Sequence, residues 1–115
     1  MKPTKFIFIL LSIFLTFSFS EDLRVEIIKR YDNGNKKLLV KYRGEGVDEV
    51  VVERITYNEN GDILKLIQPL EKLEMLRFYR DNGKIMFEQN FKDGERVGNW
   101  TIYDEGGFIE GIRKY

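Results

Sequence analysis

The sequence predicts an all-β fold: one antiparallel sheet of repeated β-hairpins behind an N-terminal signal peptide. Three observations carry that prediction. The chain has no Ala, the best helix former, while Val, Ile, Phe and Tyr are frequent. Its apolar residues recur with a period of two. Between those runs lie four turn signals of one kind, each ending in Gly and each introduced by a Tyr.

The first run, Leu23 to Tyr31, places Leu23, Val25, Ile27 and Tyr31 on one side, with Lys29 the exception, and mostly charged residues on the other. Alternation over that length predicts a half-buried strand. Leu38, Val40 and Tyr42 alternate in the same way with Lys37, Lys41 and Arg43, and Leu39 breaks the pattern.

The turn signals are Tyr31-Asp32-Asn33-Gly34, Tyr57-Asn58-Glu59-Asn60-Gly61, Tyr79-Arg80-Asp81-Asn82-Gly83 and Tyr103-Asp104-Glu105-Gly106-Gly107. An Asn-Gly or Gly-Gly pair accepts positive φ at both central positions, as tight hairpin turns require. Each Tyr is expected to close its strand with a half-buried ring. Gly34, Gly61, Gly83 and Gly107 are spaced by 27, 22 and 24 residues. A repeat near that period implies stacked supersecondary units, none able to bury its apolar face alone. Gly94 and Gly98 bracket one more expected turn. Residues 68–74 fit either a loop or one short helical turn, and Pro69 should end the preceding strand.

Residues 1–20 differ in kind. Lys2 and Lys5 precede an apolar run, and Ser18 and Ser20 occupy the −3 and −1 positions before Glu21. These are the parts of a secretory signal peptide, with cleavage expected after Ser20. The run from Phe6 to Phe19 is 14 residues, short of the ~20 that a membrane-spanning helix needs. An uncleaved anchor is the alternative. Without Cys the chain has no lipoprotein cleavage site and no disulfide. The expected product is a single secreted or periplasmic domain, residues 21–115, that relies on its own packing.

Removing Lys2 and Lys5 with the leader leaves 17 basic groups against 19 acidic ones, a net charge of −2. The signs are interspersed, which argues against nucleic acid as a partner and gives lipid binding no electrostatic support. Lys36, Lys37, Lys41 and Arg43 form the one basic cluster, expected as the exposed face of a strand.

Beyond residue 20 the chain has no His, Cys or Ser. Ser-His-Asp and Cys-His catalysis and the usual zinc ligand sets are thereby excluded. Carboxylate-only hydrolysis would need two acids at a fixed separation, and Asp93 with Glu95 or Asp104 with Glu105 are the nominal pairs. Both pairs fall in predicted turns, where acids stay hydrated. No catalytic residue, cofactor or metal is assigned. Asn58-Glu59-Asn60-Gly61-Asp62 lacks the acid spacing of a calcium loop, and turn chemistry accounts for it. Asn99-Trp100-Thr101 matches a glycosylation sequon on a predicted strand.

Residues 78–115 resemble the bacterial variant of the MORN repeat (membrane occupation and recognition nexus). The resemblance rests on Phe78-Tyr79-Arg80-Asp81-Asn82-Gly83-Lys84-Ile85, on Phe91-Lys92-Asp93-Gly94 and on Gly98-Asn99-Trp100. The unit Thr101-Ile102-Tyr103-Asp104-Glu105-Gly106-Gly107-Phe108-Ile109 continues it to Tyr115. Residues 21–77 keep the turns but lack the Asp-Gly and Gly-x-Trp segments, and are expected as degenerate or capping repeats. The resemblance implies an elongated, single-layer antiparallel sheet serving as a scaffold. Lipid binding is proposed for some members, and one bacterial branch looks like toxin-neutralising proteins.

The functional expectation is an exported, non-catalytic interaction or scaffold module whose partner is a protein or a surface glycan. A self-assembling envelope protein is the alternative, and a toxin-neutralising protein a further one. Tyr57, Tyr79, Trp100 and Tyr103 are the candidate interaction or cross-strand packing aromatics. Trp100 is expected to bridge the hairpins of Tyr79 and Tyr103, and Tyr115 to fray at the chain end.

Overall fold

The structure, a computed structural model, describes residues 23–115. The predicted signal peptide and its cleavage after Ser20 lie outside the described residues. Nine strands follow: β1 (Arg24–Arg30), β2 (Lys36–Arg43), β3 (Val50–Tyr57), β4 (Ile63–Gln68), β5 (Leu73–Tyr79), β6 (Ile85–Lys92), β7 (Glu95–Arg96), β8 (Asn99–Tyr103) and β9 (Ile109–Lys114). All belong to one open antiparallel sheet, ordered β1-β2-β3-β4-β5-β6-β8-β9, with β7 beside β8 on the same flank of β6. Among the described residues the only helical turn is a short 3-10 turn, Gly46–Asp48, and no helix is long and apolar enough to cross a membrane. The expected all-β hairpin sheet is what the chain forms.

Four hairpins share one turn. In the first, the Gly34 N–H donates to Tyr31 O at 2.9 Å and the Tyr31 N–H to Asn35 O at 2.8 Å. Asn58 with Gly61 and Asp62, Arg80 with Gly83 and Lys84, and Asp104 with Gly107 and Phe108 repeat the pattern. Only the glycines have positive φ, from +86° at Gly83 to +92° at Gly61. This corrects the expected pair of positive φ values: the loop has three residues and closes on a single left-handed Gly. An Asx side chain secures each turn by accepting the N–H of the residue after Gly. Asn33 and Asn82 do so in the first and third turns, Asn58 and Asp104 in the second and fourth. The two-residue turn with both φ positive is instead Asp93-Gly94, at +52° and +81°. Residues 69–72 form a tight turn, with the Lys72 N–H donating to Pro69 O, and β4 ends at Gln68 before Pro69.

Cross-strand partners in register share a face of a sheet. One face carries an aliphatic ladder, Ile27-Leu39-Ile55-Leu66-Met75, across β1 to β5. Its centre is the best-buried cluster of the chain, Leu39, Ile55 and Tyr57, against which Ile63 and Leu66 pack. Leu39, the break in the alternation, is thus a core residue. The other face carries Phe78-Phe87-Ile102-Gly111 across β5, β6, β8 and β9. Splitting the packing between two faces leaves no side chain fully enclosed among the described residues.

Strand β1 departs from expectation. It forms the sheet edge with every residue exposed, not half-buried. Alternation marks a strand, but it does not say whether another element covers the apolar side. Arg24 grips Glu49 through two guanidinium bonds of 2.7 and 3.1 Å, tying this edge to the connection between β2 and β3.

Candidate partner-binding face

The aromatic face is assembled at an interruption of the sheet. β7 pairs with β6 through Phe91↔Arg96, and β8 through Glu88↔Thr101, so Gln89 and Asn90 face the four residues Val97 to Trp100. Such a wide bulge leaves backbone groups without ladder partners, and Asn90 supplies them. Asn90 O accepts the Val97 N–H at 3.0 Å and the Trp100 Nε1–H at 2.9 Å, while Asn90 Nδ2 donates to Asn99 O at 2.8 Å. Trp100 is thereby laid between Phe87, Phe91 and Tyr115, with ring centroids at 6.2, 5.2 and 5.1 Å and edge-to-face tilts. Such pairs add about 0.5–1.5 kcal/mol each beyond area burial.

Tyr115 does not stand free as expected. Its N–H donates to Gly98 O at 2.9 Å, and its ring rests on Trp100. The Arg96 guanidinium lies over both rings, 5.1 Å from Trp100 and 5.4 Å from Tyr115, and Nη1 donates to Tyr115 Oη at 3.4 Å. Arg113 lines the same cleft as Tyr115. Its hydrogen bond is the main reason the phenol is held below the ordinary tyrosine range; burial opposes it and Arg96 assists. Neither Arg96 nor Arg113 forms an ion pair among the described residues.

Beside this cluster opens a shallow cleft of about 390 Å³, lined by Phe87, Trp100, Ile102, Gly111, Arg113 and Tyr115. Gly111 lies outside the left-handed region, and nothing stands within 4 Å of where a Cβ would project. Ile102 is 49% exposed and Phe78 42%. The cleft is therefore an apolar floor with Arg113 on its rim and Arg96 stacked on two of its rings.

The residues singled out from sequence do not gather at one place. Of the four candidate aromatics, only Trp100 belongs to the cleft. Tyr57 is packed with the aliphatic cluster and Lys36 stacks on it at 5.0 Å. Tyr79 donates its hydroxyl to Ile63 O at 2.6 Å, and Tyr103 O accepts Arg80 Nη2 at 2.8 Å. The basic cluster is dispersed among partners: Lys37 over the Tyr31 ring at 5.3 Å, and Lys41 with Glu53 at 3.3 Å. The nominated acids serve turns. Asp104 Oδ1 accepts the N–H groups of Gly106 and Phe108, and Asp93 shapes the turn before Glu95. Asn58 Oδ1 likewise accepts the Asn60 and Asp62 N–H groups. No group of three or more His, Cys, Asp or Glu is placed to hold a metal among the described residues.

Ile102, Gly111, Arg96 and Arg113 were not singled out from sequence. The signal for two of them was available: counting outward from the Gly107 turn with one bulged residue sets Ile102 opposite Gly111. In comparisons with known proteins, no family model, curated protein or solved structure matches the chain.

Proposed function

We propose that the chain is an exported, non-catalytic interaction module of MORN-repeat type that binds a protein through the aromatic face of β6, β8 and β9. The observation that carries this reading is the row Phe78-Phe87-Ile102, half-exposed on an open sheet and continued by Trp100 and Tyr115. Aromatic side chains accompanied by Arg are the usual anchors of protein interfaces. The repeat assignment is supported by the four like turns and by the bulge at Gly98, which sets Trp100 against the preceding hairpin.

Edge stacking into a self-assembled envelope structure is the second reading, favoured by the exposed β1 strand with Val25 at 53% and Ile28 at 42%. The bulged residue Ile28 on β1 opposes it, because bulges guard an edge against pairing.

A photo-reactive residue at position 102, with Val47 on the opposite rim as control site, distinguishes these in the producing cells. The proposal expects one adduct with a different polypeptide from position 102 and none from the control. A ladder at multiples of the chain's own mass, or no adduct, overturns it.

A further inference from the structure

The sheet ends differently at its two edges. The β1–β2 ladder has two register shifts, with an extra residue at Ile28 on β1 and one at Lys37 on β2, and β1 is pinned by Arg24 to Glu49. β9 has one shift, at Glu110 beside the turn, and from Gly111 to Lys114 it runs in regular register with β8. The outward backbone groups of that stretch face no strand, since β9 is last in the order. A straight, unpaired edge of this kind is a template for another extended chain.

Side chains along it define what that chain must carry. Gly111 and Arg113 are two residues apart and face the same side as Ile102 and Trp100, their register partners. A Gly inside a strand gives up packing and often marks close approach by another group. Here the backbone conformation does not require Gly, and the space above it is empty. The aromatic row therefore ends in a notch at the sheet edge. Two residues further along the same face, Arg113 lines the cleft with Tyr115, Arg96 donates to Tyr115 Oη, and neither arginine forms an ion pair among the described residues.

We infer that the β9 edge accepts an extended segment of the partner protein, paired antiparallel, with an acidic side chain opposite Arg113 and a large apolar one opposite Gly111. This rests on the reading of the aromatic face as a partner surface and names the chemistry it selects. Antiparallel pairing fixes the order: moving along the partner, the acid comes first and the apolar residue two positions later. The apolar side chain fills the notch against Ile102 and Phe87, and the carboxylate supplies the anion the two guanidinium groups lack.

The test uses the exported protein purified from its host and a blocked synthetic nonapeptide. Its residues alternate Thr with Val, Asp, Phe and Val, and it contains no Trp. Trp100, the only tryptophan of the chain, reports binding through its emission. A saturable change is expected. An isomer with Asp and Phe exchanged should bind at least fivefold more weakly, and Arg113→Gln should erase that preference. Gly111→Val, which fills the notch, should abolish the signal while leaving the melting transition in place. Equal binding of the two isomers, or no binding of either, overturns the inference. Concentration-dependent self-association that Gly111→Val abolishes would identify a second copy as the occupant and overturn it as well. An adduct from position 102 in cells, with the peptides silent, removes the edge inference and leaves the proposed function standing.

Discussion

Trp100 and Asn90 are joined by a 2.9 Å hydrogen bond from the indole N–H to the backbone oxygen. The bond crosses the gap between the pairings of β6 with β7 and with β8. A ring that stitches an interrupted ladder is structural, and its surroundings also form the floor of the cleft. The two roles separate by substitution. Trp100→Phe keeps an aromatic body and loses the N–H, at a cost of about 1 kcal/mol. Trp100→Ala loses the half-buried ring too, roughly 2 kcal/mol by scaling the cost of a fully enclosed ring to the area involved. At about 4–8 °C per kcal/mol for a domain of this size, thermal melts should rank wild type, Trp100→Phe and Trp100→Ala in that order. Equal melting of all three would show that the stitch contributes nothing.

Gly44 and Gly34 both lie in the left-handed region, at φ +86° and +91°. They differ in what a side chain would meet. A Cβ at Gly44 would stand 2.8 Å from Asp48 O, backbone that cannot swing aside, whereas at Gly34 nothing is within 4 Å. Gly34→Ala should cost only the conformational strain, roughly 1–2 kcal/mol. Gly44→Ala should cost clearly more and loosen the link from Arg24 to Glu49. Chemical denaturation of the two variants decides it; a Gly44→Ala midpoint equal to that of Gly34→Ala would refute the steric account.

Tyr115 and Tyr79 should ionise in a definite order. Tyr115 is shifted down, chiefly by the Arg113 hydrogen bond, and Tyr79 is shifted up, chiefly by burial with Arg77 opposing. A phenol with a lowered folded pKa adds stability above its unfolded value near 10. That contribution fades as pH falls through the folded value. Tyr79 has the opposite sign: its contribution is present below the unfolded value and is lost as pH rises through the raised one. Ultraviolet titration should therefore show Tyr115 ahead of Tyr79. Tyr115→Phe should remove the lower of these two phases, and its persistence in that variant would contradict the placement of arginine beside the Tyr115 hydroxyl.

Period two and the Gly-ended turns were enough to foresee an antiparallel hairpin sheet, because each is a local backbone property. Burial was less legible. Leu39 broke the alternation because β2 is an interior strand with both faces in contact: Leu39 is 7% exposed and Val40 5%. The turn type escaped because Asn-Gly fits two backbone solutions, and the three-residue one is selected by Asx side chains that reach past the Gly. The arginine pair was invisible for a topological reason. Arg96 and Arg113 sit on β7 and β9 and come to one cluster only because Trp100 and Tyr115 stack on each other. Tyr115 escaped likewise, since its anchor at Gly98 belongs to an irregular bulge.

The central claim is that the aromatic face of β6, β8 and β9 works on a partner and is not merely packing. Ile102→Glu tests it most directly, because Ile102 is half-exposed and its replacement sets a carboxylate beside the cleft arginines. A substitution at such a site should cost less than about 1 kcal/mol. The measurement is the melting temperature of that variant together with the yield of partner adduct, the photo-reactive residue now at Phe78. The account predicts a small change in melting and loss of the adduct. An adduct retained at wild-type yield, with melting unchanged, would contradict it.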